Sequence, residues 1–236
     1  MDLVSHVLKA HGGRDRWRSK TAFSAHISIS GALLPPPENR SLSSATACRP
    51  TLREVVIEGE TKSPRLTVFG SGDTNRYGLY APDRVELHSM AHQLLEALDN
   101  PIDALADRSS DRPLRATERT FLYGAAVWNA IAGPFLLDDA RILAKEAQQL
   151  EIELPAAIDP LTPRRTLYVG NDGFVTRQVY HLKHLHPGPL VDTASAYIAF
   201  DGIMVPTLRR LRPLATAADL HSPPLLDIEI FDLRFS

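Results

Sequence analysis

The first thirty residues contain two patterns of apolar and polar positions. Residues 3–8 carry apolar side chains at helical spacing behind Asp2, which is a favourable N-cap residue. The pair Gly12-Gly13 is typical of a helix end, so we expect a short helix to stop there. Residues 23–30 then alternate between apolar and polar side chains, which predicts a strand with two unlike faces.

The middle of the chain predicts a meander of short strands. Proline, serine and charged residues at 35–44 indicate a long connecting loop before it. After it, we predict one or two helical turns at 92–98 and a surface loop or lid at 100–113. The strand-like runs of the meander, punctuated by turn residues, cover 51–58, 65–69, 76–80 and 84–88.

Residues 121–137 are apolar on nearly every side of a helix. The pair Gly133-Pro134 predicts where the helical part ends. A helix with no polar face belongs in the interior of a protein, so we expect it to be buried. Asn129 interrupts this segment, and a buried amide must find hydrogen bonds from backbone, water or a ligand.

The last hundred residues return to strand patterns. Asn171-Asp172-Gly173 and Asp201-Gly202 each lie between two such runs, a strong sign of an antiparallel hairpin. Because strands and helices never alternate regularly, we predict an α+β fold in one domain over residues 1–236. Its core is a large curved antiparallel sheet or incomplete β-barrel that encloses one or two apolar helices. The predicted strands cover 142–154, 165–169, 174–183, 193–200, 203–211 and 226–235.

Several of these features together resemble one known superfamily. They are the opening helix that ends at His11-Gly12-Gly13, Trp17 shortly after it, the meander, the apolar helix containing Trp128 and the late turn at 200–207. The combination resembles the LolA-like superfamily over nearly the whole chain. The resemblance implies an incomplete antiparallel barrel that closes over helices and leaves a hydrophobic cavity. It also implies a carrier or sensor of lipids.

Composition and the N-terminus narrow the choice of partners and compartment. A formal net charge of −2 provides no basic field, so we expect no nucleic-acid partner. The N-terminal apolar run is too short for a signal peptide, and the single cysteine, Cys48, cannot form an internal disulfide. We therefore predict a cytoplasmic protein. No stretch approaches eighteen consecutive apolar residues, so we predict no membrane span.

Two clusters of charged or titratable residues have competing interpretations. His181, His184 and His186 could ligate a metal, but the nearby proline and glycine favour solvated loop histidines, and we predict no metal site. The basic group at 209–212 could hold an anion. Because Arg209 would face the opposite side of a strand from its basic neighbours, we favour a solvated face.

The candidate site consists of polar and aromatic residues that we place on the concave side of the sheet. Apolar walls with a few orienting polar groups suit a hydrophobic small molecule. The four residues predicted to be catalytic are His26, Tyr80, Asn129 and Tyr197. The five predicted to bind the ligand are Tyr77, Phe121, Tyr123, Trp128 and Tyr180.

Three functions are compatible with such a cavity. The first is an enzyme without a cofactor that promotes cyclisation or isomerisation of a hydrophobic substrate, as in natural-product biosynthesis, by holding reactive ends together. The second is a non-catalytic intracellular carrier or sensor of a lipid or another hydrophobic molecule. The third is a scaffold whose sheet edge pairs with another chain. The oligomeric state is left open, and we favour the enzyme.

Overall fold

The computed structural model describes residues 2–33, 53–70, 75–107, 112–182, 185–214 and 224–236. The predicted loop at 35–44, together with Cys48 and His184, lies outside these ranges. The described helices are α1 (Leu3–Ala10), α2 (Arg14–Arg18), α3 (Pro101–Ala106), α4 (Ala116–Ala132) and one 3₁₀ turn (Phe135–Asp138). The described strands are β1 (Ala22–Ser30), β2 (Arg53–Glu60), β3 (Leu66–Phe69), β4 (Arg76–Tyr80), β5 (Arg84–Ser89), β6 (Leu94–Asp99), β7 (Arg141–Lys145), β8 (Gln149–Glu153), β9 (Arg164–Val169), β10 (Val175–His181), β11 (Pro189–Phe200), β12 (Ile203–Pro213) and β13 (Leu226–Phe235).

The described strands form one antiparallel sheet of thirteen strands. Its order is β6-β5-β4-β3-β2-β1-β13-β12-β11-β10-β9-β8-β7, so the meander and the C-terminal strands join where β1 pairs with β13. The sheet is curved and unclosed, with β6 and β7 at its two edges. The predicted α+β fold with an incomplete barrel is therefore confirmed.

Local signals account for several of these elements. The Asp2 side chain accepts a hydrogen bond from the Ser5 amide, and this cap begins α1 as the sequence predicts. In β1 the predicted apolar face is buried, from Phe23 to Ile29. Both predicted hairpins form, because β9 pairs with β10 across Asn171-Asp172-Gly173 and β11 pairs with β12 across Asp201-Gly202.

Helix α4 lies inside the curved sheet, where it contacts the meander and β12. It begins earlier than predicted, with a capping box in which Glu118 accepts a hydrogen bond from the Arg115 amide at 2.7 Å. It ends at Gly133, as predicted. Most of its residues are buried, including Trp128 at 2% exposure, and the core forms around it.

Three segments differ from the prediction. Residues 94–99 form edge strand β6 and not a helix, because they pair with β5 after a tight turn in which His92 has a φ of 61°. The predicted loop at 100–113 contains α3, whose Leu105 is buried. The run at 142–154 is a hairpin of two strands, β7 and β8. Among the described helices, none is long and apolar enough to cross a bilayer.

Candidate functional site

A cavity of about 50 Å³ lies between α4 and the inner face of the C-terminal strands. Leucine, isoleucine and alanine side chains form most of its wall, contributed by α4, β12, β13 and the segment after β10. Polar groups are few, as in most small-molecule sites. They belong to Asn129, Thr162, Arg165, Tyr180, Asp192 and Arg209.

One face of α4 supplies the helical side of the cavity. Leu122, Ala125, Ala126 and Asn129 line it, and their spacing places them on one stripe of the helix. Two consecutive alanines leave room there, because their side chains are small. The sequence of α4 therefore creates the space as well as burying the helix.

A buried ion pair between Arg165 and Asp159 forms part of the polar wall. Their side chains are only 3% and 1% exposed. Arg165 also donates to the Asn129 side-chain oxygen and, at 2.8 Å, to the Thr162 carbonyl. Asn129 in turn donates to Asp159 at 2.8 Å, so the expected partners of this buried amide are an aspartate and an arginine. The network ties α4 to β9 and to the loop that precedes it.

A second buried ion pair lies on the neighbouring strands. Arg209 of β12 binds both carboxylate oxygens of Asp192 of β11. The Tyr180 hydroxyl of β10 donates to the same carboxylate at 3.3 Å. Because these side chains and Arg165 all point inward, four adjacent strands present a row of polar groups on the inner face.

Burial and charge determine the protonation states of this row. Burial alone would raise the pKa of Asp159, but the charge of Arg165 and hydrogen bonds from Thr162 and Asn129 outweigh it and lower the pKa. Burial would lower the pKa of Arg209, but Asp192 raises it. Burial, helped by the charge of Asp192, raises the pKa of Tyr180 well above its ordinary value. The wall therefore contains two buried ion pairs and a phenol that stays protonated at neutral pH.

The fold has relatives among solved structures. A DUF1329 family protein from Desulfovibrio piger superposes with a TM-score of 0.56 at 10% identity, covering 99% of this chain and 92% of that one. A LolA superfamily protein from Nitrosomonas europaea superposes with a TM-score of 0.54 at 11% identity, covering 98% and 92%. The chain has a LolA-like fold. No protein-family model matches the sequence, and a comparison with curated proteins gives no match.

Three of the nine predicted site residues line the LolA-like cavity. They are Asn129, Tyr123 and Tyr180. Tyr123 is fully buried on α4, and Tyr180 joins the polar row. The structure thus brings together one residue that we predicted to be catalytic and two that we predicted to bind the ligand.

Three others are buried in the core and do not line this cavity. Phe121 lies against Tyr80 with 5.7 Å between ring centroids, and both are buried. Burial raises the pKa of Tyr80 above its ordinary value. Trp128 is buried as well, and its indole nitrogen has no hydrogen-bond partner among the described residues.

His26 and Tyr77 lie on the outer face of the sheet, so placing them on the concave side was wrong. His26 follows the polar phase of β1, is about half exposed and lies 3.9 Å from Glu54. Tyr77 alternates with inward-facing Gly78 and hydrogen-bonds His92 at 2.8 Å. In both strands the alternation places the side chain on the convex side.

Tyr197 lies next to the cavity but serves a different contact. Its hydroxyl donates to the Val175 carbonyl at 2.7 Å, and its ring stacks on Phe174 at 4.4 Å between centroids. It borders a second cavity of about 20 Å³, which Asn129 and Arg209 also border. Burial raises the pKa of this hydroxyl too.

The charged clusters singled out in the sequence have different outcomes. Arg210 is exposed as expected, but Arg209 is buried, so the solvated-face interpretation was wrong for it. His186 contacts Gly188 through its ring nitrogen. Within the part of the chain that the structure describes, no three histidine, cysteine or acidic side chains are grouped as metal ligands.

Sequence analysis missed the buried partners Asp159, Arg165 and Asp192. Arg165 has the same alternation phase as Leu167 and Val169, which are buried. That phase was the available signal, because a charged residue in an apolar phase needs a buried partner. Asp159 lies in a loop, where no periodicity marks it.

Proposed function

We propose that this protein binds a small hydrophobic molecule in the cavity between α4 and the inner face of β9–β13. The observation that carries the proposal is the wall itself, which is apolar except for the polar row. Burial of apolar surface would supply most of the affinity, and the row would orient the ligand. The hydrophobic cavity that a LolA-like fold implies supports the same proposal.

The size of the cavity limits the ligand in the observed conformation. A volume of about 50 Å³ corresponds to roughly four water molecules. A short alkyl chain or a single ring is of this order, and a longer lipid chain requires the walls to move apart. Two consecutive alanines on α4, Ala125 and Ala126, make this side of the cavity sensitive to added volume.

Native mass spectrometry of gently purified protein, beside a denatured control, tests the proposal. We expect a retained hydrophobic species in the wild type. Ala126→Leu should displace it by filling the cavity, and Ala106→Leu, an equal change on the exposed side of α3, should retain it. Retention of the same species by Ala126→Leu would show that the molecule binds elsewhere.

A second candidate function is conversion of the bound molecule by cyclisation or isomerisation without a cofactor. Tyr180 favours it, because its hydroxyl lines the cavity and stays protonated beside the Asp192–Arg209 pair. If its single O–H turns away from the Asp192 carboxylate, this phenol can donate a hydrogen bond to a substrate oxygen and polarise it. Confinement between α4 and the strands would hold the reactive ends together.

Tyr180→Phe separates the two candidates. For an enzyme, we expect turnover of a candidate substrate to fall about 10²-fold or more, because general-acid groups contribute about that much. For a carrier, the variant should keep binding and no conversion should occur in either protein. An empty wild type in the mass spectrum would favour the enzyme, since a tight carrier should emerge loaded. The cytoplasmic location stays a prediction in both cases.

A further inference from the structure

We propose that the cavity selects a hydrophobic molecule with one neutral hydrogen-bond acceptor, a ketone, ester or amide carbonyl, which accepts from Nε–H of Arg165. The inference rests on the proposed binding function and specifies its ligand class. It follows from the donors and charges of the polar wall.

Arg165 has one donor left over. Its Nη2 donates to Asp159 and to two oxygens of Thr162, at 2.8 and 3.0 Å. Its Nη1 donates to Asn129 and, at 3.3 Å, to Gln178. The Nε atom is buried and has no partner among the described residues. An unpaired buried donor is unfavourable, and Arg165 is part of the cavity wall, so an acceptor on a ligand that reaches Nε would satisfy it.

The charge of the wall is already balanced. Asp159 neutralises Arg165 and also accepts from the amides of Leu161 and Thr162 at 3.1 and 2.8 Å. Asp192 neutralises Arg209. An added carboxylate would lie near two aspartates that already compensate the two arginines, and it would lose its hydration. Burying a charge without a counterion is costly, so the wall favours a neutral acceptor over an anion.

The apolar part of the cavity wall would hold the end of the ligand that lies away from the carbonyl. Leu211, Leu226 and Ile228 line it, and an alkyl or ring portion would lie against them. A pure hydrocarbon would gain this apolar contact and leave the Arg165 donor unpaired. The arrangement therefore distinguishes a carbonyl compound from a hydrocarbon of equal length.

Three six-carbon probes that differ only at one end test the inference on the wild type. Hexane, 2-hexanone and hexanoate would be titrated at pH 7.5 and followed by the ¹H–¹⁵N resonance of the arginine Nε groups. We expect 2-hexanone to bind about tenfold tighter than hexane, because a hydrogen bond to a charged donor is worth that much, and to shift one Nε–H resonance. Hexanoate should bind most weakly. Equal affinities for hexane and 2-hexanone, or tightest binding of hexanoate, would overturn the inference.

Acidity provides an independent readout with hexanoate. Its carboxyl pKa is near that of a glutamate side chain, about 4.3, so its neutral fraction rises roughly 260-fold between pH 7.5 and pH 5. A site for neutral acceptors therefore predicts an apparent affinity at least tenfold higher at pH 5. Unchanged or weaker binding at pH 5 would indicate an anion site and contradict the inference.

Arg165→Lys keeps a positive charge beside Asp159 and removes the Nε–H donor. We expect the ratio of the 2-hexanone affinity to the hexane affinity to fall towards one in this variant. A variant that binds hexane and still prefers 2-hexanone would contradict the assignment to Nε. If the variant does not fold, the ratio of the 2-hexanone and hexane affinities of the wild type tests the inference. Failure of all three probes to bind, together with an empty wild type in the mass spectrum, would refute the proposed binding function itself, whereas equal binding refutes only the ligand class.

Discussion

The two faces of α4 show how one helix serves both stability and a site. Towards the meander, Gly124 lies so close to Tyr80 that an added Cβ would be 2.2 Å from the Tyr80 ring. Phe121 packs on the same tyrosine, and both rings are buried. Towards the C-terminal strands, Ala126 and Asn129 border an open cavity. The close face fixes the position of the helix, and the open face can then keep space and buried polar groups.

The two faces of α4 also differ in the charged residues that lie next to them. The residues of the close face, Gly124, Tyr80 and Phe121, carry no charge. On the open face two ion pairs are almost fully buried. A buried ion pair is seldom more stable than a well-packed apolar pair, so stability alone does not explain them. Their location along a cavity wall agrees with a role in binding.

Breaking the Arg165–Asp159 pair should give the largest effect. Asp159→Asn preserves the shape of the side chain but leaves Arg165 as a buried, uncompensated charge. We expect the free energy of unfolding to fall by about 3–5 kcal/mol, measured by urea denaturation.

Asp138→Asn is the matched control, because Asp138 pairs with Arg14 near the surface. We expect it to cost at most about 1 kcal/mol. Replacing both buried charges, in Asp159→Leu with Arg165→Met, should recover part of the loss. Equal losses of unfolding free energy in Asp159→Asn and Asp138→Asn would show that the buried ion pair matters no more to stability than the surface one.

The two faces of α4 should respond differently to added carbon atoms. Gly124→Ala improves helix propensity by about 0.5–1 kcal/mol, but the clash with Tyr80 should outweigh this gain. We expect a net destabilisation of about 1–3 kcal/mol, seen as a lower Tm. Ala126→Val adds more volume on the cavity face and should cost less than about 1 kcal/mol. A larger destabilisation by Ala126→Val than by Gly124→Ala would mean that the cavity face is the more tightly packed one.

Elements with a strong local pattern could be predicted from the sequence. Strand β1, the hairpins at Asn171 and Asp201 and the end of α4 at Gly133 follow from alternation, turn residues and capping. Edge strand β6 could not, because its leucines fit a helical spacing as well. Leu94 and Leu95 are about half exposed there, and pairing with β5 determines the structure.

The candidate site was less accessible to sequence analysis. Asn129 stood out because it interrupts an apolar helix. Arg165 and Asp192 are far apart along the chain, and only the sheet brings them to the same cavity. His26 and Tyr77 were misplaced because a suitable side chain says nothing about which face of the sheet it is on. The alternation phase contained that information for both, and for Arg165.

His11, which is buried but does not line the cavity, should make the stability of the protein depend on pH. It is fully buried, its Nδ1 bonds the Val7 carbonyl at 2.8 Å, and burial lowers its pKa to about 4. In the unfolded chain the pKa is near 6.5, so between pH 6.5 and pH 4 the unfolded state binds more protons. Stability is therefore complete above pH 6.5 and falls as the pH drops through this window, by about 2 kcal/mol at pH 5.

The Asp159 carboxylate should contribute little to this fall, because the stability that its lowered pKa supplies is lost only as the pH drops below the ordinary aspartate value of about 3.9 in the unfolded chain. His11→Asn, which can keep a donor near the Nδ1 position, should flatten the fall in the free energy of unfolding between pH 7 and pH 5. His26→Gln, at an exposed site, should leave that fall unchanged. Denaturation of the wild type, His11→Asn and His26→Gln at pH 7 and pH 5 measures this fall. An unchanged fall in His11→Asn would show that His11 is not the source of the acid response.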